Sequence, residues 1–139
     1  YSVAGWKSDM HELTHFAAGK KIEPVSDSVA WCVKQWARLA AKLKKLLEID
    51  GKSILDHTAM ALFFEGGHGW DPESRRKQSP HSTENMAVLL AGHAGGLRAR
   101  HVPAPNRHPA SAVLTAMNAV GLRTDALGEV QGNIPGLFG

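Results

Sequence analysis

The sequence carries one cysteine and one tyrosine, and its aromatic content is only 6%. Cys32 has no partner for an internal disulfide, so packing alone must hold any core. It falls in a helical pattern beside tryptophans and reads as a small buried apolar residue. No apolar run approaches the roughly 20 residues needed to cross a bilayer; the longest, Thr58–Phe64, falls far short. No membrane span is therefore expected, and no signal-peptide pattern is visible. The first residue is Tyr1 and not methionine, which suggests a processed chain or a piece of a longer one. Charge of one sign is also not concentrated. The formal charge is +3 with neutral histidines. The densest basic groups are Arg38, Lys42, Lys44 and Lys45, then Arg75, Arg76 and Lys77. They read as a solvated helix face and a solvated loop, and no nucleic-acid partner is expected.

What remains is enough for one compact domain with a core: 139 residues, 43% of them hydrophobic. Residues 1–25 read as loop, with one helical turn near His11–His15. Ser26 or Asp27 offers an N-cap. A helix is expected after it, because Val29, Val33, Trp36, Ala40, Leu43 and Leu47 recur on one face. Lys34, Arg38, Lys42 and Lys45 fall opposite, and Asp50-Gly51 ends the pattern. Thr58–Phe64 and Met86–Ala91 are apolar on both alternating faces, the pattern of strands in a parallel sheet covered by helices. Between them Glu65–Asn85 reads as a long polar loop. A last helix is expected from Pro109 to Gly121, then an ordered glycine-rich tail over 125–139. No internal repeat is present.

Eight histidines stand out, all expected in loops or at element ends. The sharpest local pattern is His11-Glu12-Leu13-Thr14-His15, which has the H-E-x-x-H spacing of zinc peptidases. On a helix it would place two imidazoles on one face beside a water-activating glutamate. That motif belongs in a long buried helix, and the flanking residues do not provide one. The second constellation is Glu65-Gly66-Gly67-His68 after the first apolar segment, with His81 ahead of the second. An acid and a histidine at a parallel strand's C-terminal end occupy the usual ligand position of open α/β sheets.

Together these segments resemble the alkaline-phosphatase and sulfatase superfamily. The matching stretches are Leu55–Thr58 leading into the strand, Glu65–His68 after it, Pro80–Ser82, and Met86–Gly92. The chain is closer still to the C-terminal region of an uncharacterised family of bacterial secreted proteins, a domain of unknown function. There the matches are His11–His15, Val29–Leu47, Leu55–His57 and Leu90–Gly96. The resemblance implies an α/β fold: part of an alkaline-phosphatase-like three-layer sandwich, parallel strands flanked by helices. Residues 1–139 would form the C-terminal part of that larger domain. It implies a periplasmic or extracellular location. Zinc or another divalent metal would be held by His11, His15, Glu65, His68 and His81.

Two departures limit this. The superfamily's acid and histidine are adjacent, whereas two glycines separate Glu65 from His68. Its nucleophile-bearing region has no counterpart here. The expected function is thus the metal-binding portion of a phospho- or sulfo-ester hydrolase domain, inactive alone. Its partners would be the missing N-terminal part or other protein chains. The alternatives are a non-catalytic interaction subunit that kept the fold, and a zinc peptidase.

Overall fold

The computed structural model describes residues 5, 7, 9–14, 22–64, 66–71 and 73–138. Two compact units divide the chain between Leu39 and Ala40. The first contains helix α1, Met10–Thr14, and most of helix α2, Glu23–Lys45. The helical turn expected near His11 is therefore present, and its described residues end at Thr14. Helix α2 starts earlier than the Ser26 or Asp27 cap implies. Pro24 lies in its first turn, where a missing N–H costs nothing. The helix also stops earlier, at Lys45, with Lys42, Lys44 and Lys45 in its last turn, where positive charge suits the exposed carbonyls. Cys32 is half-buried.

In the second unit the chain reverses directly after α2. Leu47 pairs with Ser53 in an antiparallel bridge. The Glu48 N–H donates to the Lys52 carbonyl at 2.7 Å, and Gly51 sits at φ +79°, a conformation that favours glycine. A 3-10 turn, Ile54–His57, follows. Its capping box is complete: the Asp56 N–H donates to Ser53 Oγ, and Asp56 accepts from the Ser53 N–H in return.

The expected parallel sheet does not form. Strand β1, Met60–Leu62, pairs antiparallel with β4, Leu89–Ala91, in the register Met60–Ala91, Ala61–Leu90, Leu62–Leu89. The two apolar segments do lie side by side, but the sign of their pairing corrects the α/β sandwich reading. The reason lies between them. Parallel neighbours need a crossover of a dozen residues or more, usually a helix. Here the connection is another antiparallel ribbon, β2 (Gly67–Asp71) with β3 (Arg76–Ser82). A third pair, β5 (Ala126–Leu127) with β6 (Val130–Gln131), is also antiparallel. Among the described residues every strand pairing is antiparallel and confined to two strands. Nor are β1 and β4 buried on both faces: β1 is half-buried throughout and Leu89 is exposed.

The core gathers on helix α3, Ala110–Ala119. Ala112 and Ala119 pack with Ala94, Leu97, Ile134 and Leu137, and Val88, Leu90, Val102 and Phe138 close around them. The small residues along α3 let the chain approach closely. Two polar side chains tie the tail to this helix. Buried Thr115 accepts from the Ile134 N–H at 2.8 Å. Asn118 donates to the Thr124 carbonyl and to Asn133 Oδ1, and accepts from the Thr124 N–H. Leu97 and Phe138 complete the attachment as an antiparallel bridge.

Candidate functional site

Two places in the second unit bring chemistry-bearing side chains together. The first is the β2–β3 ribbon, where the sequence predicts a loop. Its strands are staggered: Gly67 faces Ser82, Gly69 faces Ser79 and Asp71 faces Arg76. Each step of two residues along β2 matches three along β3, so β3 bulges twice. Gly67, Gly69 and Asp71 alternate inward while His68 and Trp70 are exposed. On β3 Ser79 and Ser82 are buried and His81 is exposed. His68 therefore lies opposite the bulge that contains His81, and both residues are exposed.

The glycines beside His68 are explained by packing. A Cβ at Gly67 would stand 2.0 Å from the Glu84 carbonyl oxygen, and one at Gly69 2.2 Å from Glu84 Oε2. The Glu84 turn fits only because that face is bare. Its carboxylate accepts from the Trp70 N–H at 2.9 Å. Buried Ser82 donates to the Trp70 carbonyl at 2.6 Å, and Asn85 donates to the His68 carbonyl at 3.0 Å. At the far end Asp71 collects the turn, accepting from the Glu73 N–H, Ser74 Oγ and Ser79 Oγ. These bonds, Ser74 foremost, hold its carboxyl below the ordinary value.

Of the five residues expected to hold metal, His68 and His81 lie on the paired strands of the ribbon, between the same two pairings. His11 lies on α1 in the other unit. His15 and Glu65 fall outside the described residues. Among the described residues no group of three or more histidine, cysteine, aspartate or glutamate side chains could hold a metal ion. The histidines expected in loops therefore include two in strands.

The second place is an open depression of about 560 Å³ lined by Lys52, Asp56, His57, His93, Ala94, Gly95, Gly96, Ala119 and Val120. One carboxylate–imidazole pair, Asp56 with His93, lines it, and lining His57 forms a second pair with Asp50. Asp56 Oδ1 lies 3.0 Å from His93 Nδ1, and Asp50 Oδ2 lies 2.9 Å from His57 Nε2. The other Asp56 oxygen accepts from both the N–H and the hydroxyl of Ser53. Those Ser53 bonds first, and His93 after them, lower the Asp56 carboxyl to a pKa of about 2. Asp50 is also lowered, chiefly by the Lys52 N–H and then by His57. Both aspartates are therefore acceptors only, which requires a hydrogen on the imidazole nitrogen facing each.

The sequence contained one signal for this place. Ser53-Ile-Leu-Asp56 has the spacing of a capping box, and such a box holds its carboxylate in a fixed direction. Nothing local announced that His93, far along the chain, would meet it. The backbone explains the meeting. The His93 N–H donates to the Leu55 carbonyl and the Ala94 N–H to that of Thr58. Gly92, at φ +105°, passes so close to Thr58 that a Cβ would come 1.8 Å from its oxygen.

Comparison with known proteins finds no matching family model, curated protein or solved structure. Among the described residues no helix is long and apolar enough to cross a membrane.

Proposed function

We propose that this chain is the metal-holding portion of a hydrolase-like domain for phosphate or sulfate esters, inactive without the residues that supply a nucleophile. One observation supports the reading: His68 and His81 are both exposed, and both fall between the Gly67–Ser82 and Gly69–Ser79 pairings of the ribbon. Imidazole is a standard ligand for zinc, and a carboxylate commonly shares the site. Glu65, two positions ahead of β2 and three ahead of His68, would be the acid that completes the set. A zinc ion held there would polarise an ester oxygen and lower the pKa of bound water. The remaining groups would come from the missing N-terminal part or from another chain. The likeness of the motifs to the secreted family supports export, and no parallel sheet is needed for any of this.

The test is metal content after extensive dialysis, followed by zinc titration calorimetry on the full chain. One equivalent of zinc is expected. His68→Ala and His81→Ala should each weaken binding about tenfold or more, while His11→Ala leaves it unchanged. Absence of stoichiometric zinc, or indifference to both ribbon substitutions, would refute the proposal. Loss of zinc on His11→Ala alone would instead favour the peptidase pattern.

A second reading, an interaction subunit without chemistry, has its own observation. Leu46, Leu47 and Ile49 are exposed together where the chain turns after α2, an apolar group more usual at contacts between proteins. A chain that binds no zinc yet self-associates, with association lost in Leu47→Lys, would support it.

A further inference from the structure

The second unit segregates its charges. Residues 85–124 contain four arginines and no aspartate, glutamate or lysine. Three of these arginines, Arg98, Arg100 and Arg107, are exposed on the irregular segment that follows the Ala94–Gly96 turn. We propose that this segment is a docking surface for an extended acidic peptide of a partner protein, separate from the histidines of the β2–β3 ribbon and independent of any metal held there.

The tail places the arginines. Leu97 bridges Phe138 antiparallel, and the Arg98 N–H donates to the Leu137 carbonyl at 2.9 Å. Further along, the Arg100 guanidinium lies 4.0 Å from where a Cβ on Gly136 would stand, and that of Arg107 lies 3.5 Å from where one on Gly132 would stand. Arg107 also donates to the Gln131 carbonyl at 3.4 Å. The three arginines thus follow the tail in antiparallel order. Gly132 and Gly136 are four positions apart, so at most about 14 Å of chain separates the two guanidinium contacts.

The contacts that hold this segment leave its charges and part of its backbone uncommitted. Val102 and Ala104 pack on the core, whereas Ala99, Arg100 and His101 are exposed. Among the described residues no carboxylate pairs with Arg98, Arg100 or Arg107. The acids that follow residue 84 in the chain are Asp125, just before β5, and Glu129, in the β5–β6 turn. Neither forms such a pair. Nor do the N–H groups of 99–102 donate to any described backbone group.

These features select the partner. The planar fork of arginine suits carboxylates, which it can grip with two parallel bonds. A peptide that lies along an uncommitted backbone is held by main-chain bonds and chosen by its side chains. Side chains on one face of an extended peptide recur about 6.6 Å apart. Acidic residues at alternate positions over about five residues therefore match the reach of the arginines. Single-stranded nucleic acid would need rings for its bases to stack on. Phe138 is the one aromatic residue after Trp70, and it packs against the core. A lipid surface would need apolar side chains to insert. Among the described residues of 98–108 and 131–138 no large hydrophobic side chain is exposed.

The experiment titrates the isotopically labelled full chain with an acetylated peptide that alternates glutamate and threonine over about seven residues. A chelator in the buffer makes the outcome independent of zinc. The same peptide with glutamine for glutamate, an oligothymidylate and phosphatidylserine vesicles are the comparisons. The glutamate peptide should bind saturably, about tenfold tighter than the glutamine peptide, with the largest amide shifts at 98–102. Arg100→Gln and Arg107→Gln should each weaken it about fivefold. Arg100→Lys should recover only part of the loss, because it returns the charge without the fork. An unchanged amide spectrum elsewhere certifies each variant, and Arg100→Gln decides alone if Arg107→Gln loosens the tail. Absence of saturation, equal binding of the glutamine peptide, shifts confined to other segments, or full affinity in a folded Arg100→Gln chain would overturn the proposal. So would tighter binding of the oligothymidylate or the vesicles, which would assign the surface to those ligands instead.

Discussion

At the scale of single residues, a few hydroxyls and carboxylates hold more of the structure than their size suggests. Thr115 is fully buried, and its oxygen is the acceptor for the equally buried Ile134 N–H. Thr115→Val preserves shape but strands that donor. Urea denaturation should show a loss of about 1–3 kcal/mol, with Thr115→Ser retaining most of the stability. Asp56 gives a pH dependence. Its carboxyl is favoured in the ionised form by the fold, with a folded pKa of about 2. The stabilisation is therefore complete above the ordinary carboxylate pKa and disappears as the pH falls toward about 2. The melting temperature should drop over that range, and the drop should be smaller in Asp56→Asn. Asp50 and Asp71 shift in the same direction, so the comparison with Asp56→Asn is what isolates the one group. Of these residues only Ser53 and Asp56 carry a local sequence signal, their capping spacing, and it is not among the expectations drawn from the sequence. Thr115 and Ile134 are far apart in the chain, and no local pattern links a threonine to a distant backbone donor.

At the scale of elements, period and spacing served helices well and strands less well. Helix α3 falls within the segment expected from Pro109 to Gly121, and α2 covers most of the amphipathic stretch from Val29. The strand segments also contain strands, yet their orientation was misread. Ala59, Ala61 and Ala87 are small enough to sit at a half-buried surface, so an apolar run containing them does not imply cover on both faces. The ribbon was missed because its inward positions are Gly67, Gly69, Ser79 and Ser82, which lack the apolar alternation that marks a strand. Its stability comes from hydroxyl and carboxylate bonds instead. The turn after β4 depends on Gly92, where both the positive φ and the 1.8 Å approach to Thr58 forbid a side chain. Gly92→Ala should cost at least about 2 kcal/mol in chemical denaturation. It should also detach His93 from Asp56, visible as a change in the His93 ring resonances.

At the scale of the whole molecule, the candidate metal residues were legible as a set of types and not as a constellation. His68 and His81 lie on the two strands of one ribbon, and not at a parallel sheet edge. His11 belongs to the other unit. Within residues 40–139, α3 packs against β1, β5, β6 and the Ala94–Gly96 turn. Residues 124–138 share in that packing. They supply Ile134 and Leu137 to the interior and are fastened through Thr115, Asn118 and Leu97. A cut within this segment would remove one side of the hydrophobic interior instead of trimming a loose end. Limited proteolysis of the 40–139 unit should accordingly be all-or-none. Electrophoresis would show intact unit or small peptides, without a long-lived product shortened only at this strap.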